Sequence, residues 1–132
     1  MSVAQGEHSL THGEWNVMEC LWEQAPRTAM QLVPLLQERA GWAKSTTLTM
    51  LSRMEAKGLV RSQVQGRARA YWPNVRREDA ARQETRSFLR RVYQGSVGLM
   101  LSAMTQDEGL TREELDELYE ILRQAEERER GG

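Results

Sequence analysis

The chain has 132 residues, 28% of them charged and 39% apolar, which suits one ordinary domain or a small domain with an appendage. That balance excludes a disordered chain, and no apolar run approaches the ~20 residues that span a bilayer, so no membrane insertion is expected. The formal net charge of −1 hides a basic middle, with twelve basic and four acidic side chains over residues 42–91, against four basic and ten acidic over residues 105–132; such a middle is the footprint of a polyanion partner.

Residues 1–7 read as a flexible tail, and the N-terminal stretch has neither the basic nor the apolar part of a secretion signal. Thr11-His12-Gly13-Glu14 has the T-x-x-E form of a capping box, in which hydroxyl and carboxylate each accept a backbone N–H at a helix start. Trp15, Met18, Leu21 and Trp22 follow at helical spacing with Val17 beside them, and Pro26 stops the helix. Thr28-Ala29-Met30-Gln31 repeats the capping pattern ahead of Leu32, Val33, Leu35 and Leu36. Pro34 conflicts with that stripe, because inside a helix proline removes a hydrogen bond and costs roughly 3 kcal/mol. A kinked helix and a fresh start with Pro34 in the first turn both satisfy the pattern.

Gly41-Trp42-Ala43 is a connection to a third helix, expected from Lys44 or Ser45 to Lys57, with Gly58 in the left-handed position after it. Thr47, Met50, Leu51 and Met54 form its core stripe. A strand over Leu59–Val64, a turn at Gln65-Gly66-Arg67 and a strand over Ala68–Trp72, ended by Pro73, make a β-hairpin. A fourth helix is expected from Val75 to Tyr93, where Ala80, Ala81, Phe88, Leu89, Val92 and Tyr93 interleave with Arg82, Arg86, Arg90 and Arg91. The uncharged "GSVGLMLSAM" (Gly95–Met104) reads as a buried short helix or an interface segment. Thr111-Arg112-Glu113-Glu114 is a third capping box, opening a last helix through Leu115, Leu118, Tyr119 and Leu122 to Glu127, with residues 129–132 as a second flexible tail.

Three short helices followed by a hairpin is the order of a winged helix-turn-helix, so the expected fold is mainly α with a small β-hairpin: a winged-helix domain over residues 8–74 and a helical dimerisation region over 75–128. The third helix then lies in a major groove. Small hydroxyls at its start let the backbone approach, while the free N–H groups and positive dipole end favour phosphate. The expected DNA contacts from this helix are Lys44, Ser45, Thr46, Leu48 and Thr49, with Arg53 and Lys57 neutralising phosphates. On the hairpin they are Arg61, Gly66, Arg67 and Arg69. A winged helix of this length does not need Phe88, Val92, Tyr93, Leu99, Met100, Leu101, Met104, Leu115, Leu118 and Leu122 for its own core, which marks them for a dimer interface or a second core, with the dimer interface as the expectation. The lone Cys20, mid-helix among Met18, Leu21 and Trp22, is expected to be a buried small hydrophobe. His8 and His12 have no ligand cluster around them, so no metal or other cofactor is expected. With no nucleophile–base pair and no Gly-rich phosphate loop, the chain is not expected to be an enzyme.

These same stretches resemble a known family. "LTHGEWNVMECLW" (Leu10–Trp22), "STTLTMLSRMEAKGLV" (Ser45–Val60), "GRARAYWPNV" (Gly66–Val75) and "GLTREELDELYEIL" are similar to the penicillinase and methicillin-resistance repressors, a family that includes copper-responsive members. The first-helix pattern is matched by Leu10, Thr11, Glu14, Met18, Leu21 and Trp22, the recognition-helix pattern by Thr46, Thr49, Arg53, Met54, Lys57 and Gly58, and the wing pattern by Gly66, Arg67, Tyr71 and Pro73. The resemblance implies a cytoplasmic homodimeric repressor that binds a palindromic, double-stranded DNA operator. In members that control β-lactam resistance it also implies a membrane sensor protease as partner, with cleavage at an Asn-Phe bond in the dimerisation part. An ungapped match puts Ala103-Met104 at that bond, so the cleavage chemistry is not carried over. The paired C-x-C motifs of copper-responsive members are missing, which argues against copper sensing. The alternative reading is a winged helix that serves as a protein-interaction adaptor without touching DNA.

Overall fold

The computed structural model describes residues 9–107 and 109–131; the expected tail over residues 1–7, His8 and Gly132 lie outside the described residues. In chain order the elements are α1 (His12–Glu23), β1 (Arg27–Thr28), α2 (Ala29–Ala40), α3 (Lys44–Ala56), β2 (Val60–Gln65), β3 (Ala68–Pro73), α4 (Arg77–Tyr93), α5 (Val97–Gln106) and α6 (Arg112–Gly131). The chain divides into two compact units inside α4, between Ser87 and Phe88.

All three capping boxes close. Thr11 and Glu14, Thr28 and Gln31, and Thr111 and Glu114 each exchange backbone N–H bonds of 2.8–3.2 Å, which fixes where α1, α2 and α6 begin. α2 runs through Pro34 from Ala29 to Ala40, so the helix does not restart at the proline. The carbonyl that Pro34 leaves without a helical partner belongs to Met30, an exposed residue where water can satisfy it. Gly58 stands at φ 83°, and the N–H groups of Gly58 and Leu59 donate back to Glu55 O (3.0 Å) and Met54 O (2.9 Å). That Schellman closure ends α3 and turns the chain into the hairpin.

The core of the first unit is one cluster. Val17, Met18, Cys20 and Leu21 from α1 meet Leu32 and Leu36 from α2, Leu51 and Met54 from α3, and Leu59, Val60 and Tyr71 around the hairpin. Trp22, Trp42 and Met50 flank it, half-buried. The sheet has three antiparallel strands in the order β1-β3-β2. β1 is not among the elements expected from the sequence: it is two residues long, pairs with Tyr71 and Ala70 far along the chain, and offers no alternation to detect.

The expected division after residue 74 falls short of the first compact unit, because the start of α4 packs onto α1. Trp22 Nε1 donates to Val75 O at 2.9 Å, Arg77 pairs with Glu19 and lies 5.4 Å over the Trp22 ring, and Ala80 is buried. The second unit holds α5 and α6, and among its described residues not one is buried. Gly95–Met104 is therefore not a buried helix within this chain. α6 continues past the expected end at Glu127, supported by i,i+4 pairs of Arg123 with Glu127 (2.9 Å) and Arg130 with Glu126 (3.5 Å).

Candidate nucleic-acid interface

α3 begins without a side-chain cap. Its N-cap is Ala43, at φ −69° and ψ 159°, which makes no side-chain hydrogen bond. The hydroxyls of Ser45, Thr46 and Thr49 accept or donate no hydrogen bond among the described residues, so they are not consumed in starting the helix. The first turn thus presents open backbone N–H groups, the positive end of the helix dipole and unengaged hydroxyls on one exposed surface. The other face is fixed: Thr47, Leu51 and Met54 are buried, and the Met50 side chain packs where a Cβ on Gly13 would come within 3.3 Å of its Cε and of the Trp42 ring. Thr47 Oγ1 is buried with no partner, which sets Thr47 apart from its exposed neighbours Thr46, Leu48 and Thr49.

The wing is built by a two-residue loop, Gly66-Arg67, between Gln65 and its partner Ala68. Gly66 takes φ 64°, the positive value that this loop requires of its first residue. No atom lies within 4 Å of a Cβ placed there, so the glycine serves the turn rather than a close approach within the chain.

The expected cations split into two sets. Lys44, Arg53 and Arg67 are exposed and have no ion-pair or hydrogen-bond partner among the described residues. The other three are engaged. Arg61 lies 4.9 Å over the Trp72 ring, leaving its N–H groups available. Arg69 donates to Ser62 Oγ at 2.9 Å, and Ser62 in turn donates to Glu55 Oε2 at 2.6 Å, a relay that ties the wing to α3. Lys57, expected as a phosphate anchor, pairs instead with Glu14. That carboxylate is buried, and it also accepts the Thr11 N–H at 2.9 Å. Burial alone would raise the Glu14 pKa, but the Lys57 hydrogen bond, the Thr11 N–H and the Lys57 charge outweigh it and hold the carboxyl below its ordinary range. The sequence pattern gives Glu14 a role as a helix cap and a place in the family match, but not its burial or its pairing with Lys57. The signal that would have exposed its burial is its register with Val17, Met18 and Leu21, which makes Glu14 the acidic member of an apolar stripe.

Of the residues expected at a dimer interface, Phe88, Val92, Leu99, Met104 and Leu122 are exposed, and Tyr93, Met100, Leu115 and Leu118 are half-buried. Tyr119 and Ile121 are exposed as well. Ala103-Met104 lies in the body of α5, where Ala103 O accepts the Asp107 N–H at 3.4 Å. Cys20 is buried; burial, the largest influence, pushes its thiol pKa up, and Sγ accepts from Arg39 Nη1 at 3.6 Å. Among the described residues no three His, Cys, Asp or Glu side chains gather to hold a metal, and no helix is long and apolar enough to cross a membrane.

The penicillinase repressor family model matches residues 10–124. The chain belongs to the penicillinase repressor family. The penicillinase repressor of Bacillus licheniformis is 29% identical over 121 residues, 92% of this chain and 94% of that one. The methicillin resistance regulatory protein MecI of Mammaliicoccus sciuri is 24% identical over 115 residues, 87% of this chain and 94% of that one. Among solved structures, the DNA binding domain of the repressor BlaI aligns with a TM-score of 0.52 and 25% identity, over 60% of this chain and 93% of that one. The three helices, small antiparallel sheet and wing of this family member are accordingly a winged helix-turn-helix.

Proposed function

We propose that this chain acts as a two-fold dimer on a palindromic operator, setting α3 in the major groove and the wing against the adjacent backbone. Family membership supports the broader function: the chain is a DNA-binding transcriptional repressor, and its relatives are repressors rather than enzymes. The observation that carries the finer reading is the uncapped first turn of α3, whose hydroxyls are exposed and unengaged, beside the unpaired cations Lys44, Arg53 and Arg67. In this reading Ser45, Thr46, Leu48 and Thr49 meet base edges and nearby phosphates, while Arg53 and Arg67 neutralise phosphates.

The dimer is supported by the second unit, whose apolar side chains, Leu99, Met104 and Leu122 among them, bury nothing fully within one chain. Two-fold symmetry would place the two recognition helices ~34 Å or a multiple apart, which demands an inverted repeat. The proposed location is cytoplasmic. The proposed inducing partner is a membrane sensor protease, and cleavage at Ala103-Met104 would require α5 to unwind first.

The test is an anisotropy titration against a duplex covering the DNA upstream of the chain's own coding sequence, repeated across salt concentrations. Arg67→Ala is expected to weaken all duplexes alike and to lower the salt slope by ~0.9. Thr46→Ala is expected to change discrimination between that duplex and altered versions of it, by about 1–3 kcal/mol at the affected base pair. Absence of salt-dependent binding to any duplex overturns the proposal.

A further inference from the structure

Lys57 stands at the C-cap of α3, directly before Gly58 and the wing, and its ammonium pairs with Glu14 in the first turn of α1. Its burial distinguishes this pair from the other ion pairs among the described residues. The Glu14 side chain is 6% exposed, whereas no other paired carboxylate is less than 38% exposed among the described residues. Both carboxylate oxygens are engaged, Oε1 by the Thr11 N–H and Oε2 by Lys57. The two residues are 43 positions apart, so the pair joins the entry of the first helix to the exit of the third. A buried carboxylate with a single cation cannot release that cation cheaply, because it would be left unpaired away from water. Lys57 is therefore a poor phosphate ligand despite its place on the basic helix.

We propose that Lys57 is a positioning residue for DNA recognition: clamped to Glu14, it fixes the tilt of α3 and the take-off of the wing without itself neutralising a phosphate. The clamp rests on the reading of α3 as the recognition helix. It holds the C-terminal end of α3 while Thr47, Leu51 and Met54 seat the helix on the core, so that the exposed first turn and Arg67 reach one duplex together.

Opposite signs separate a clamp from a phosphate anchor. If Lys57 were an anchor, Glu14→Gln would remove a competing negative charge and tighten binding, and Lys57→Met would lower the salt slope by ~0.9, as one lost phosphate contact does. If it is a clamp, Glu14→Gln and Lys57→Met each weaken binding by about tenfold, the size of losing one well-placed base contact. Neither then changes the slope, and the double variant is no weaker than the weaker single, since both remove the same tie. The measurement uses the full chain and the same upstream duplex, with thermal melting alongside. Should Lys57→Met fail to fold, Glu14→Gln and the double variant, which carry no buried unpaired charge, still decide the matter. Tighter binding by Glu14→Gln, or a slope lowered by ~0.9 in a variant lacking Lys57, overturns the clamp while leaving the repressor reading intact. A wild-type chain that binds no duplex overturns both.

Discussion

Leu36 on α2 and Leu122 on α6 hold the same kind of position, an apolar stripe on a helix opened by a capping box, and end differently: Leu36 has no exposed surface and Leu122 keeps 58% of its own. The helices do not account for the contrast, since both are well formed. It comes from what surrounds them. α2 meets α1, α3 and the hairpin, and their side chains close one cluster. The second unit has a capped α6, a short apolar α5 and the end of α4, and these bury no residue fully. A unit that closes its core can present a rigid surface to DNA, whereas one that leaves its core open is suited to completion by a second chain.

The largest expected effect tests the closed half. Leu36→Ala should lower the unfolding free energy by about 2–5 kcal/mol, because lost burial and the residual cavity add. Chemical denaturation of the full chain measures it. A loss below 1 kcal/mol would mean this core relaxes far more than a closed one can. The next effect tests the open half. Leu122→Asp should weaken dimerisation by about 2 kcal/mol or more while the first unit melts as before, seen by sedimentation equilibrium and circular dichroism. A dimer indifferent to this change would place the interface away from α6.

How far these halves were legible in the sequence follows the range of the interactions. Capping boxes act over three residues, so Thr11, Thr28 and Thr111 announced three helix starts correctly. The Lys57-Gly58 stop and the Gly66-Arg67 turn were equally local. Interactions between distant positions were not readable: β1 exists only by pairing with β3, and no local pattern names Lys57 as the partner of Glu14. The site showed the same division. The first turn of α3 was legible through its run of hydroxyls, but the sorting of its cations into free Lys44, Arg53 and Arg67 and engaged Lys57 and Arg69 depends on partners elsewhere in the fold.

A third effect concerns the electrostatics inside the closed half. Glu14 is held below the ordinary carboxylate range in the folded chain, because the Lys57 and Thr11 interactions outweigh its burial. The pair therefore contributes stability at neutral pH that is lost as pH falls through the folded value of Glu14. Glu14→Gln should cost about 1–2 kcal/mol near neutrality, discounted because Lys57 is 45% exposed, and the deficit should shrink as the solution is acidified. Melting curves of both proteins across that range measure it. A deficit independent of pH would show that packing, not charge, is what Glu14 supplies.

The smallest effect lies within α3 itself, where adjacent threonines belong to different surfaces. Thr46 is exposed with an unengaged hydroxyl, whereas Thr47 is fully buried and its Oγ1 has no partner. A buried hydroxyl without a hydrogen bond is a desolvated dipole that gains nothing in return. Thr47→Val keeps the β-branched shape and removes that dipole, so it should raise stability by about 1 kcal/mol and leave duplex binding unchanged. Thr46→Val, by contrast, should leave stability within about 0.5 kcal/mol and alter binding, as a surface change at a contact position does. If Thr47→Val destabilises the fold instead, the hydroxyl has a partner such as a buried water. If it weakens binding without destabilising, the boundary between core and reading surface runs one residue away from where the exposure of α3 puts it.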